Sequence, residues 1–138
     1  MLKTLRGDNL ISPLKNNIMF LPLSHTKLDV YKCSREFVLS CYSITRLLPN
    51  EERYVITQQI RRAALSVHLN LAEGCSRRSG KERKRYYEIA RGSIIEIDAA
   101  LDICFGLKYL TMETMQPTGD LMVRAFRMLS SMIEKEDL

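Results

Sequence analysis

Apolar residues recur along this chain at alternating steps of four and three, the spacing that places them on one face of a helix. Val30, Ser34, Phe37, Cys41, Ile44 and Leu48 form one such line and predict a helix over 29–48. Asp29 is its expected N-cap and Pro49 its stop, because a proline nitrogen has no hydrogen to donate. Ile56, Ile60, Ala63, Val67, Asn70 and Gly74 predict a second helix over 51–75. Asn50 is its expected cap, with Glu51 and Glu52 in a first turn whose dipole favours acids. The third line, Tyr86, Ala90, Ser93, Ile97, Ala100, Cys104 and Leu107, keeps strict sevens within a helix over 80–110, a period that implies a left-handed supercoil. Ser79 and Glu82 fit a capping box at its start. A fourth helix over 112–136 has Leu121, Ala125, Met128 and Met132 as its inner line, broadened by Met122, Leu129 and Ile133. Pro117 and Gly119 are expected to disturb it.

Four amphipathic helices joined by short turns predict an all-α fold, an antiparallel up-down-up-down left-handed four-helix bundle over 28–138. Small residues on the second and third stripes (Ala63, Ala90, Ser93, Ala100) predict that these two helices form a tight antiparallel hairpin. Residues 1–27 show no sustained periodicity and are expected to be a poorly ordered N-terminal extension, within which Met19 offers an alternative start.

Composition agrees with a helical domain: 138 residues, 46% apolar and 27% charged, with only 6 Gly and 4 Pro. No apolar run approaches the roughly 20 residues of a membrane span, and the first 20 residues lack the compact apolar segment of a signal peptide. A soluble, cytoplasmic protein without a membrane partner is expected. Cys33, Cys41, Cys75 and Cys104 are scattered and form no CxxC pair, so they are expected to be reduced and mostly buried rather than zinc ligands.

Charge changes the picture more. The net charge is +5, and residues 74–85 alone hold Arg77, Arg78, Lys81, Arg83, Lys84 and Arg85 against one acid, Glu82. The rest of the chain carries fifteen basic and fifteen acidic groups. The imbalance therefore sits in one turn, between the second and third helices.

The stretch QIRRAALSVHLNLAEG followed by RRSGKERKRYYEIARGSIIEIDAALDI resembles the four-helix-bundle proteins encoded within intervening sequences of bacterial 23S ribosomal RNA genes. The shared pattern falls on Gln58, Arg61, Arg62, Ala63, Asn70, Ala72, Glu73, Gly74, Ala90, Gly92, Ser93 and Glu96, and the likeness extends over about 28–138. His68 and Leu69 depart from it, where a small residue or Pro is usual. The resemblance implies a bundle that assembles as a homopentameric ring. It also implies kinship with accessory proteins of diversity-generating retroelements, which work with a reverse transcriptase, and it carries no enzymatic activity.

The basic turn is the leading candidate for chemistry. Arginine engages phosphate oxygens in pairs, and each phosphate neutralised releases counterions. Arg61 and Arg62 add charge about four turns before the end of their helix and are open to belonging to another patch. Tyr86 and Tyr87 follow the cations directly and are suited to unpaired bases, although Tyr86 falls on the core stripe. Asn70, Glu73, Ser93 and Glu96 form a second set, read as a structural polar network that fixes helix register, with Arg61 or Arg62 opposite Glu96. Cys75 lies beside the turn, where arginines could lower its pKa. His25 and His68 are the only histidines and neither sits in a Glu-x-x-His motif, and no phosphate-cradling glycine loop occurs, so no metal, cofactor or catalytic residue is expected. The resulting expectation is a non-enzymatic nucleic-acid-binding bundle, for RNA rather than DNA. The alternative is a protein-interaction scaffold with little affinity for nucleic acid.

Overall fold

The computed structural model describes residues 19–138, and most of the N-terminal extension lies outside them. Four helices follow in order: α1 (Asp29–Thr45), α2 (Ile56–Cys75), α3 (Gly80–Gly106) and α4 (Met112–Glu136). Among the described residues there is no strand, and the fold is an all-α four-helix bundle. Cross-helix bonds set the directions. Ser34 meets His68 and Thr45 meets Arg61, so α1 and α2 are antiparallel. Gln59 meets Glu96 and Ser66 meets Ser93, so α3 reverses again, and Arg83 with Glu136 and Arg91 with Ser130 do the same for α4. The order is therefore up-down-up-down, and α2 with α3 is the most extensively packed pair.

Several boundaries differ from the sequence reading, each for a local reason. Leu28 rather than Asp29 occupies the N-cap of α1, leaving Asp29 in the first turn where its charge meets the helix dipole. That helix ends at Thr45, because Leu48 precedes a proline and the last amides of Arg46, Leu47 and Leu48 tighten into three-residue turns. Asn50 to Glu52 form a separate 3-10 turn, and α2 starts only at Ile56. Glu52 is instead drawn to the α3–α4 connection, where it accepts a hydrogen bond from Tyr109 Oη at 2.8 Å. Helix α3 stops at Gly106 rather than Leu110 because Lys108 adopts φ 64°. Tyr109 then donates to the Cys104 carbonyl and Lys108 to that of Phe105, the two bonds of a Schellman cap. Ser79 caps α3 by accepting from the Glu82 amide at 3.1 Å, but the reciprocal bond of a capping box is not formed among the described residues. Pro117 does not interrupt α4: it lies in the second turn on the exposed side, where only one intrahelical amide bond is given up.

The core centres on Phe37, Ile60, Val67, Leu71, Ile94, Ile97 and Leu129. All six residues of the first predicted line are buried, five on α1 and Leu48 just beyond its end. On α3 the buried residues are Tyr87, Ala90, Ser93, Ile94, Ile97, Leu101 and Cys104: Ala90, Ser93, Ile97 and Cys104 of the predicted stripe are buried, whereas Tyr86 and Ala100 are only partly covered and Leu107 is exposed. On α4 Ala125 and the broadening residues Met122, Leu129 and Ile133 are buried together with Met115 and Thr118, while Leu121, Met128 and Met132 are only partly covered. Small residues at Ala63, Ala64 and Ala90 allow close approach of α2 and α3. Gly74 completes it, since a Cβ there would lie 2.8 Å from Tyr87 Cε1.

Candidate nucleic-acid interface

An antiparallel bundle of this order brings the end of α2, the start of α3 and the end of α4 together. The basic turn therefore meets the acidic last turn of α4. Arg83 donates through Nε to Glu136 at 2.8 and 3.1 Å, and its Nη1 donates to the carbonyls of Arg77 and Arg78 at 3.2 and 2.7 Å. This one guanidinium closes the turn and ties it to α4. Lys84 reaches Asp137 at 2.6 Å, and the bond and charge of that carboxylate hold its pKa above the ordinary lysine value. Arg77 folds back on α2, 2.6 Å from Glu73, while its guanidinium lies 5.0 Å from the Tyr86 ring centroid and Nη2 bonds the phenol oxygen at 3.1 Å.

Three of the six predicted cations are thus occupied by carboxylates of their own chain. Arg78, Lys81 and Arg85 are exposed and make no ion pair among the described residues. Glu73, Glu136 and Asp137 each neutralise one cation of the turn, so the surplus is smaller than the turn alone suggests. Sequence reasoning overlooked Glu136 and Asp137 as members of the site. Their signal was the acidic sequence at the end of the fourth helix, which the expected topology already placed beside the turn.

Arg61 and Arg62 belong elsewhere. Arg61 turns towards α1, with Nε donating to Thr45 Oγ1 at 2.9 Å and its guanidinium 4.9 Å from the Tyr42 ring centroid. Arg62 is exposed on a shallow groove between α2 and α3. Neither pairs with Glu96, which is exposed rather than buried and accepts from Gln59 Nε2 at 3.2 Å. The predicted polar set does not form one network. Asn70 and Ser93 are joined, but through Ser66: Asn70 Nδ2 donates to Ser66 Oγ at 3.0 Å, and Ser93 Oγ donates to the same oxygen at 2.8 Å. Glu73 serves Arg77 and Glu96 serves Gln59, because each lies outside the helix–helix seam that holds the two small polar residues.

Tyr87, not Tyr86, is the core residue, and its hydroxyl lies 3.7 Å from Cys75 Sγ. Burial pushes the Cys75 thiol up, against the expectation that neighbouring arginines would lower it, because those arginines point to carboxylates and solvent. The Cys41 thiol, fully covered, is pushed up to about 12 by the same cause. No group of His, Cys, Asp and Glu that could hold a metal ion occurs among the described residues, and no helix there is long and apolar enough to cross a membrane.

The fold and site define a small antiparallel helical bundle with a cationic hairpin end. Residues 26–131 match the 23S rRNA-intervening sequence proteins, and the chain belongs to that family. A crystal structure of a protein of unknown function from the S23 ribosomal protein family of Bacteroides thetaiotaomicron is similar in fold, with a TM-score of 0.70 at 24% identity over 75% of this chain and 97% of that one. No curated protein matches the chain.

Proposed function

We propose that this protein is a non-enzymatic nucleic-acid-binding bundle, directed to RNA, whose binding surface is the α2–α3 turn. The observation that carries the reading is the division of labour among the cations. Arg83, Lys84 and Arg77 hold the turn, which leaves Arg78 in the turn and Lys81 and Arg85 on the first two turns of α3 exposed beside it. Preorganised cations lose less freedom on meeting a phosphate than mobile ones do. Assembly as a homopentameric ring, which the family resemblance implies, would repeat this loop on one rim and raise the local anion concentration.

The test is replacement of Arg78, Lys81 and Arg85 by Gln, leaving the three bracing cations in place. Retention of structured or single-stranded RNA should fall sharply at moderate salt. The slope of log affinity against log salt should drop by about 0.7 for each single-strand phosphate that is no longer neutralised. Helicity should be unchanged. A variant that binds as the parent does refutes the assignment.

A second reading, a scaffold that docks a protein such as a reverse transcriptase, is favoured by the opposite end of the bundle. There Leu47, Tyr54, Val55, Phe105, Leu107 and Met112 are large, apolar and exposed. Absence of RNA and DNA binding even at low salt would favour it.

A further inference from the structure

A cavity of about 720 Å³ opens beside the basic turn, within the range of small-ligand sites. Helix α2 contributes Leu69, Asn70 and Glu73, α3 contributes Tyr86, α1 contributes Tyr31, and the N-terminal segment contributes Phe20. Because Tyr87 fills the core, Tyr86 is free to face this space. Its ring is held by Arg77, whose guanidinium stands 5.0 Å from the centroid and bonds the hydroxyl, so it is an immobilised platform backed by a cation. Asn70 is fixed as well: its Nδ2 is committed to Ser66 O at 2.8 Å and Ser66 Oγ at 3.0 Å, which leaves Oδ1 for an incoming donor. Phe20 is 90% exposed, an aromatic ring with most of its surface still to be covered.

Aromatic faces combined with a few fixed polar groups are the chemistry that receives an unstacked base. A phosphate finds no free cation inside, because the walls are largely apolar and the Glu73 carboxylate is already paired with Arg77. None of the free cations lines the cavity: Ser76 and Tyr86 border it, and Arg78, Lys81 and Arg85 lie between these two in the sequence. Phe20 precedes the part of the chain that matches the family, so the cavity is completed by a segment outside that match.

We propose that this cavity takes one splayed-out nucleobase of a single strand whose phosphates lie along Arg78, Lys81 and Arg85. This rests on the reading of the turn as a nucleic-acid surface. The test uses the full chain and a single-stranded RNA decamer carrying one 2-aminopurine, with retention followed by anisotropy and stacking by quenching of the base. The parent should bind at low salt and quench at least about twofold. Phe20→Ala with Tyr86→Leu should bind about tenfold weaker and lose the quench, with an unchanged salt slope. Phe20→Ala alone, at a position that cannot compromise folding, should lose part of the quench. Retention without quenching by the parent, or unchanged quenching by both variants, overturns the base cavity while leaving the phosphate surface standing. No retention by the parent overturns both. Free 2-aminopurine riboside monophosphate at the same concentrations should not quench; equal quenching would assign the cavity to a free nucleotide and overturn the strand-bound base.

Discussion

Gly74 offers the sharpest test of how α2 and α3 meet, because a single methyl group is asked to enter a space that is already filled. A Cβ at this position would sit 2.8 Å from Tyr87 Cε1 and 2.9 Å from Tyr86 Cβ. Carbon atoms in contact prefer about 3.5–4.0 Å. The gap must therefore widen by roughly 0.7–1 Å. Tyr86 Cβ is fixed to the α3 backbone, so rotation of a side chain cannot relieve it, and the buried Tyr87 ring has no free direction. Overpacking of this kind costs about 1–3 kcal/mol. Against it stands the gain from replacing Gly by Ala in a helix, up to about 1 kcal/mol and less in a last turn, where Gly74 lies. Gly74→Ala should thus destabilise the bundle by about 1–2 kcal/mol. The thermal midpoint should fall by about 3–8 °C. Urea unfolding followed by circular dichroism measures it. Gly92→Ala is the internal control: nothing lies within 4 Å of a Cβ there, so the same change in the middle of α3 should stabilise by about 0.5–1 kcal/mol. Equal effects at the two glycines, or a Gly74→Ala variant as stable as the parent, would refute the packing argument.

Three other outcomes follow from the geometry. Lys108→Gly should stabilise by about 0.5–1 kcal/mol, because a residue at φ 64° carries a Cβ penalty that glycine lacks, and chemical denaturation would register it. Glu136→Gln should lower the melting temperature by loosening the hold of α4 on the turn. By releasing the Arg83 charge it should also tighten RNA binding severalfold and steepen its salt dependence, so an affinity equal to the parent's would place the ligand away from this end. His68 is held below its ordinary 6.5, by burial first and then by the charges of Arg35 and His25. As pH falls from 6.5 towards that lowered value, the unfolded chain takes up a proton that the folded one refuses, so stability must decline over this window. The parent's midpoint should therefore drop more between pH 7 and 5 than that of His68→Gln, and identical drops would dismiss the residue's role.

Periodicity alone located every helix of the bundle, because burying one apolar face is a property of local spacing. The fourth helix also begins and ends where it was expected, at Met112 and Glu136, and in the structure the Thr111 side chain caps its start by accepting from the Thr114 amide. Periodicity put Tyr86, Ala100 and Leu107 of α3, and Leu121, Met128 and Met132 of α4, deeper than they lie. On α3 large residues such as Ile94 and Ile97 fill the core while Ser93 meets Ser66 of α2, and spacing cannot say which neighbour each position meets. That ambiguity hid the difference between Tyr86 and Tyr87, and with it the aromatic wall of the cavity.

The concentration of cations in one turn was likewise written in the order of residues. What those cations do was not. Glu136 lies fifty-three positions from Arg83, and whether such a pair forms depends on two helix ends arriving side by side with side chains of matching reach. The chain's own order dictated how many charges the turn carries and that four helices would close around one core. Only the packed bundle decided which charges are neutralised and which remain for a ligand, because Coulomb attraction falls off with distance in space and takes no account of distance along the chain.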